Sequence, residues 1–151
     1  MSLIQSKYAK GILGAPYPAF AGAVVAQRFA HVLALAPLAN DIIELAPLFG
    51  NTKPIDLILD ADDLDSGTAI IIDVGIMSGK WGENDGARTC GAEFFSGSTL
   101  LQAGGVARPI LKTAFRIAPV GYDRSIGVKI TTAAGTFVSG QIGLTVLSAT
   151  G

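Results

Sequence analysis

The sequence predicts a mainly β protein: an antiparallel β-sandwich or barrel with one short helix at about 90–103 and an extended N-terminal arm. Short apolar stretches alternate with polar residues at a period of two, which is typical of half-buried strands. Turn-forming residues, among them 19 Gly and 7 Pro, separate these stretches at the spacing of an all-β domain. The 151 residues therefore divide into an arm over 1–20 and a single β-rich domain over 21–151.

The predicted strands follow one another from residue 28 towards the C-terminus. Alternation marks most of them, and a continuous β-branched run marks the fourth. Their sequences are RFAHVLALAP (28–37), DIIELAPLF (41–49), PIDLILD (54–60), TAIIIDVGIM (68–77), PILKTAFRIAP (109–119), SIGVKITT (125–132) and GQIGLTVLSA (140–149).

Alternation also predicts which side chains of these strands face the core. Ile55 is expected to face inward, since it is in phase with Leu57 and Leu59 in the third strand. Phe115 is expected to face inward in the fifth strand. Pro47 cannot donate a backbone hydrogen bond, so we expect the second strand to lie at a sheet edge or to end there.

A short helix is predicted at about 90–103, where the apolar residues lack a period of two. Thr89 is a candidate cap at its start, and Gly104 is a candidate for its end. Gly97 weakens the helix, because glycine costs about 1 kcal/mol relative to alanine inside one.

The composition indicates a protein whose outer faces are covered by neighbours. Half of the residues are apolar and 15% are charged, against about 25% charged in an average soluble protein. Mean hydropathy is +0.49. The net charge of −1 and the scattered basic residues argue against a nucleic-acid partner. A membrane span over 19–39 is rejected, because Arg28, His31 and Pro37 interrupt it.

The N-terminal segment is apolar yet rich in Gly and Pro, which break both helices and strands. It resembles a signal peptide, but two prolines interrupt its apolar run. A disordered tail would be polar, and a free apolar tail would be prone to aggregation. We therefore expect an ordered arm that lies on another subunit, rather than an unstructured leader. Its predicted interface residues are Tyr8, Ile12, Tyr17 and Phe20.

Four aspartates fall within DADDLDSG (60–67), between two predicted strands. Asp, Ser and Gly are turn-forming residues, which predicts a solvated hairpin turn. Asp60, Asp63 and Asp65 are also weak candidates for a calcium site, and a contact with a basic partner is a third possibility. An EF-hand loop starting at Asp60 would need Glu at 71, where the chain has Ile71.

No catalytic motif is visible, so we expect no enzymatic activity, no catalytic residue and no cofactor. His31, the only histidine, lies in an apolar run typical of a structural role. Cys90 is the only cysteine, which excludes an internal disulfide. Glu44, Glu83 and Glu93 are isolated carboxylates, which are usually solvated surface groups.

The Trp81 loop, SGKWGENDGAR (78–88), is predicted to be exposed. Trp81 could anchor a protein contact or stack on a sugar. It could equally cap the end of the core. We include Trp81 among the predicted interface residues, although the sequence favours neither the contact role nor the core role.

The stretches NDIIELAPLFGNTKPIDLILDADDLDSGTAIIIDVGIMSG (40–79) and GAEFFSGSTLLQAGG (91–105) resemble small virion structural proteins of tailed bacteriophages, of the capsid decoration or cement type. The likeness covers roughly residues 31–151 and rests on a strand, Asp-rich turn and strand pattern. It implies a non-enzymatic protein that binds the outer surface of a capsid and bridges major capsid subunits.

That resemblance also implies partners and a location. The partners are the major capsid protein and further copies of the chain, as a homo-oligomer with a trimer favoured, without nucleic acid or membrane. The location is the capsid surface of the virion, with assembly in the host cytoplasm. The alternatives are a calcium- or carbohydrate-binding β-sandwich module and a phage tail or fibre-base subunit.

Overall fold

A computed structural model describes residues 1–15 and 22–150, and its strands form two packed sheets. Two short 3-10 helices, Leu100–Gln102 and Lys112–Phe115, interrupt the strand succession. The strands are β1 (Leu3–Gln5), β2 (Val24–Leu33), β3 (Ile42–Leu48), β4 (Thr52–Ala61), β5 (Ile71–Ile76), β6 (Phe95–Ser98), β7 (Gly105–Ala107), β8 (Arg124–Thr132) and β9 (Gly140–Thr150).

The two sheets give the predicted β-sandwich. The five-stranded sheet has the order β1-β3-β8-β5-β6, and the four-stranded sheet has the order β2-β9-β4-β7. Neighbouring strands are antiparallel, except that β1 runs parallel to β3. The edges of the four-stranded sheet are therefore β2 and β7.

Alternating side chains of both sheets meet in one apolar core. In β9, Ile142, Leu144 and Val146 share the inner face as predicted, and each is at most 4% exposed. In β4, Leu57 and Leu59 are buried in the same way. Burial of one such side chain contributes about 1.5–3 kcal/mol, so strands with this pattern hold the sheets together.

The inward orientation predicted for Ile55 is wrong, since this side chain is 40% exposed. The pairing of β4 with β9 shifts register between Pro54 and Asp56. A bulge adds one residue to a strand, and a one-residue shift moves the side chains before it to the opposite face. Ile55 therefore lies outside, although it is in phase with the core leucines in the sequence.

The strand predicted over 109–119 is also wrong, because Lys112–Phe115 forms a 3-10 helix. A 3-10 turn repeats every three residues rather than every two. As a result Ala114 is buried, and Phe115 is 56% exposed instead of facing inward.

The segment predicted as a short helix at about 90–103 is helical only at its end. Phe95–Ser98 is β6, which pairs with β5, and Leu100–Gln102 is a single 3-10 turn. Gly97 has a positive φ of 64°, which an α-helix does not allow. The chain therefore forms a strand with a turn, and Leu101 alone of that turn is fully buried.

Pro47 lies in β3, which pairs with strands on both sides. However, β1 covers only Ile42–Glu44 of β3, so no strand among the described residues pairs with Pro47 on that side. The proline therefore sits where the strand is locally an edge, as its missing N–H requires.

The first residues of the predicted arm pack on the chain's own domain. Leu3–Gln5 forms β1, and the hydroxyl of Ser6 donates to the Leu45 carbonyl at 3.1 Å. Tyr8 packs edge-on against Phe29, with ring centroids 4.7 Å apart. The proposed boundary near residue 20 and the predicted interface residues Tyr17 and Phe20 lie outside the described residues.

Within the part of the chain that the structure describes, no helix has the length and apolarity that crossing a bilayer requires.

Candidate functional site

The Asp-rich segment is a crossover between the two sheets, not the hairpin that the sequence predicted. β4 before it belongs to the four-stranded sheet, and β5 after it belongs to the five-stranded sheet. Asp65 is fully buried at this corner, where it forms an isolated bridge with Phe137. The segment predicted as a solvated turn is therefore partly buried, and it connects the two sheets.

The Asp65 carboxylate accepts hydrogen bonds from five backbone N–H groups at 2.9–3.0 Å. The donors belong to Gly67, Ala69, Ile70, Gly135 and Thr136. The Thr136 N–H is the main cause that lowers the pKa of Asp65 far below its usual range, while desolvation opposes it. The ionised side chain thus ties residues 65–70 to the turn before β9.

The other two metal candidates also have partners within the chain. Asp60 forms an ion pair with Arg28, with Nη2 and Oδ2 2.6 Å apart. Asp63 Oδ1 accepts the Asp65 N–H at 3.0 Å. In residues 1–15 and 22–150 no three His, Cys, Asp or Glu side chains lie close enough to hold a metal ion.

Glu44 is fully buried, so the expectation of a solvated carboxylate is wrong for this residue. Its Oε1 lies 2.8 Å from Nη1 of Arg88, which is 3% exposed. Oε1 also accepts the Ser125 hydroxyl and the Gly82 N–H, and Oε2 accepts Gln5 Nε2 at 2.8 Å. Every lone pair of a buried charge that finds a donor reduces the cost of desolvation, and this network supplies four donors.

This network fixes the Trp81 loop to the five-stranded sheet. Arg88 donates through Nε to the Ser78 carbonyl at 2.7 Å and through Nη1 to the Glu83 carbonyl at 2.8 Å. Trp81 is partly buried, and its backbone N–H donates to the Asp123 carbonyl at 3.0 Å. The loop is therefore exposed at its tip but held at both ends by a buried guanidinium.

The remaining candidates for chemistry are not brought together. His31 is on β2 in the four-stranded sheet, whereas Cys90 bridges Met77 beside the five-stranded sheet. Burial raises the pKa of the Cys90 thiol to about 12, so the thiol is protonated at neutral pH. Glu93 Oε2 accepts the Ile76 N–H at 2.8 Å, which gives this carboxylate a structural role.

Apolar side chains are exposed at the β2 edge of the four-stranded sheet. We call Ile12, Leu13, Val32 and Leu35 the β2-edge patch; they are 66%, 44%, 58% and 83% exposed. They lie along the grooves between the N-terminal segment and the end of β2. Of the predicted arm residues, Ile12 therefore faces solvent, whereas Tyr8 is partly used in packing on Phe29.

A second group is exposed at the opposite edge of the same sheet. We call Ile55, Val106, Ile110 and Phe115 the β7-edge patch; Ile110 is 93% exposed and Val106 is 69% exposed. Sequence reasoning missed this patch, because Ile55 and Phe115 were assigned to the core. The sequence carried no signal of it at Ile110 either, because the strand predicted over 109–119 is absent from the structure.

Of the comparisons with known proteins, the one with solved structures finds similar chains. No family model and no curated protein matches the sequence. Among solved structures, the chain is similar to a chain of the capsid of Ralstonia phage GP4, with 50% identity over 99% of both chains and a TM-score of 0.95. It is also similar to a chain of the capsid asymmetric unit of cyanophage Pam1, with 21% identity over 92% of this chain and 93% of that chain and a TM-score of 0.68.

The two likenesses carry different weight. The cyanophage chain, at 21% identity, shows that the fold is shared. The Ralstonia phage chain shares half of its residues across nearly the whole length, which shows the family. The chain therefore belongs to the phage capsid proteins, as a structural component of the virion related to this chain of the Ralstonia phage GP4 capsid.

Proposed function

We propose that this protein is a capsid decoration or cement protein, which binds the outer surface of the shell and bridges neighbouring major capsid subunits. The observation that supports bridging is the position of the two exposed apolar patches. They lie at β2 and β7, the opposite edges of one sheet, with β9 and β4 between them. Groups of exposed apolar side chains on a soluble protein are typical of interaction sites.

The distance between the patches suits two contacts at once. Strands lie about 4.8 Å apart in a sheet, so β2 and β7 are separated by about 14 Å. The sandwich between them is well packed, and the corner at Asp65 ties its sheets together through five backbone donors. A rigid body with two separate binding surfaces can hold two neighbours at a fixed spacing, and the second contact then gains affinity through avidity.

The proposed partners are the major capsid protein and further copies of the chain. The predicted interface residues with described positions are Tyr8, Ile12 and Trp81. Ile12 is 66% exposed and Trp81 is partly buried on an anchored loop. We propose a homo-oligomer because the composition leaves much apolar surface for other chains to cover, and we favour a trimer because the resemblance to decoration proteins implies one. The likeness to a capsid chain favours the capsid over a tail or fibre base.

The experiment compares variants of each patch on shells assembled from the major capsid protein without this chain. Variant one is Ile12→Ser with Leu35→Ser, and variant two is Ile110→Ser with Phe115→Ser. Each is expected to bind more weakly, by about tenfold or more, since truncation of the anchor residues of an interface costs more than about 1 kcal/mol each. Each is also expected to lose the rise in shell melting temperature that the wild-type protein gives.

Tyr122→Ser is the matched control, since this side chain is 50% exposed and lies in the turn before β8. It is expected to bind and stabilise shells like the wild type. The proposal is contradicted if the wild-type protein leaves shell stability unchanged, or if loss of one patch abolishes stabilisation while loss of the other has no effect. Native mass measurement of the free protein tests the trimer separately.

A further inference from the structure

A groove runs between the N-terminal segment and β2, beside the β2-edge patch. Its described lining includes Lys7, Lys10, Ile12, His31, Val32 and Gln141. Two of these side chains, Ile12 and Val32, are more than half exposed. The groove thus combines exposed aliphatic side chains with polar groups and with two basic side chains, Lys7 and Lys10.

No carboxylate belongs to the described lining of this groove. Neither Lys7 nor Lys10 forms an ion pair within residues 1–15 and 22–150. Residues 16–21, PYPAFA, contain no acidic residue either. Asp62 lies beyond Gln141, where its Oδ2 accepts the Gln141 N–H at 2.8 Å. Within residues 1–15 and 22–150, the two lysines of the groove are therefore left without a carboxylate partner.

The charge of the two lysines also affects His31, which lines the same groove. Its pKa is lowered, first by burial and then by the charges of Lys10 and Lys7. Since positive charge disfavours a further proton nearby, His31 is neutral at pH 7 and adds no repulsion of its own. The basic character of the groove comes from the lysines alone at that pH.

We propose that this groove binds an apolar segment of the major capsid protein that carries an Asp or Glu side chain. The apolar floor recognises the segment's aliphatic side chains, and Lys7 and Lys10 recognise its carboxylate. Charge complementarity of this kind raises the association rate and excludes partners with basic groups at the same position. This inference rests on the proposed capsid-binding function and names the chemistry of one of its contacts.

The test is charge reversal with Lys7→Glu and Lys10→Glu together, measured as binding to shells assembled from the major capsid protein. Lys129→Glu with Thr132→Glu is the control, since both residues lie on β8 of the five-stranded sheet, outside the groove and outside both apolar patches. Reversal at 7 and 10 is expected to weaken binding by about tenfold or more, because like charges then face each other. The control pair is expected to change it by less than about twofold.

Two further measurements test whether the charge of Lys7 and Lys10 causes the change in binding: a salt titration and a conservative substitution. Raising NaCl from about 50 mM to about 500 mM is expected to weaken wild-type binding more than that of the reversed variant, since salt screens exposed charges. Lys7→Arg with Lys10→Arg is expected to bind like the wild type. A thermal melt of each free variant excludes misfolding as the cause.

The outcomes separate this inference from the function on which it rests. If the wild-type protein does not bind shells, the proposed function fails. If the wild-type protein binds and the reversed variant binds equally well, only the inference is overturned. It is also overturned if reversal lowers the native mass of the free protein but leaves shell binding unchanged, because the groove would then bind a second copy.

Discussion

Two buried carboxylates, Asp65 and Glu44, are stabilised in different ways. Asp65 sits at the corner between the sheets and accepts five backbone N–H groups. Glu44 sits inside β3 and faces the guanidinium of Arg88, which is as buried as the carboxylate itself. Both carboxylates are removed from water, yet among the described residues only Glu44 has a counter-charge.

The difference shows which part of the chain each residue organises. The donors to Asp65 are peptide groups of two turns, so its charge fixes backbone and leaves the nearby side chains free to vary. Glu44 depends on one specific side chain, and that side chain holds the Trp81 loop through Ser78 and Glu83. Asp65 therefore stabilises the sandwich, whereas Glu44 couples the sandwich to a surface loop.

The largest expected effect comes from breaking the ion pair at Glu44. Glu44→Ala leaves Arg88 charged and buried without its counter-charge, which costs about 3–5 kcal/mol. The double variant Glu44→Gln with Arg88→Met is expected to recover part of that loss, because it removes both charges. Urea unfolding measures both effects, and equal losses in the single and double variants would show that the pair itself is not the cause.

A smaller loss is expected from Asp65→Asn, with a fall in Tm on the order of 5 °C. The amide keeps one acceptor oxygen and turns an NH2 group towards backbone donors that the carboxylate accepts. The comparison predicts that this variant leaves the Trp81 loop in place, so Trp81 fluorescence below Tm should match the wild type. A spectral change in Asp65→Asn but not in Glu44→Ala would reverse the roles assigned here.

The stabilisation that Asp65 provides is expected to depend on pH. Backbone donors lower the pKa of Asp65 in the folded protein below its unfolded value of about 3.9. Its stabilisation is therefore complete above that value and is lost as the pH falls towards the folded pKa. We expect the Tm difference between wild type and Asp65→Asn to be largest near pH 7 and to shrink below about pH 4. A constant difference down to about pH 2 would contradict this account.

The smallest effect is expected at the exposed ion pair of Arg28 and Asp60. The two side chains are 42% and 29% exposed, and the guanidinium lies across Gly143, which has no side chain to block it. Solvent and salt screen such a pair, so Arg28→Gln is expected to cost less than about 1 kcal/mol. If the same urea titration gave a loss as large as that of Glu44→Ala, burial would not determine how much each carboxylate contributes to the free energy of unfolding.

The sequence predicted the sandwich class because alternation is a local property. Leu57, Leu59 and Leu144 face the core as their spacing indicates. The prediction failed at Ile55, because a register shift in the pairing of β4 with β9 turns this side chain to the outer face of the sheet. It also failed at Phe115, where a 3-10 turn replaces the period of two by a period of three. Both shifts depend on tertiary packing, which no local pattern records.

The candidate site was harder to predict, for the same reason. Glu44 meets an arginine 44 residues away, and Asp65 meets donors about 70 residues away. One local signal was available: a lone carboxylate within the apolar run IIELAPL indicates a buried partner. The two apolar patches could not be read from the sequence, since the assembled sheet places β2 and β7 at opposite edges.

The most direct test of the proposed bridging is an image of the assembled particle by electron cryo-microscopy. We expect each copy of this chain to contact two neighbouring major capsid subunits, one through Ile12 and Leu35 and the other through Ile110 and Phe115. The result that would contradict the account is density in which one patch faces solvent and the whole contact is made to a single subunit.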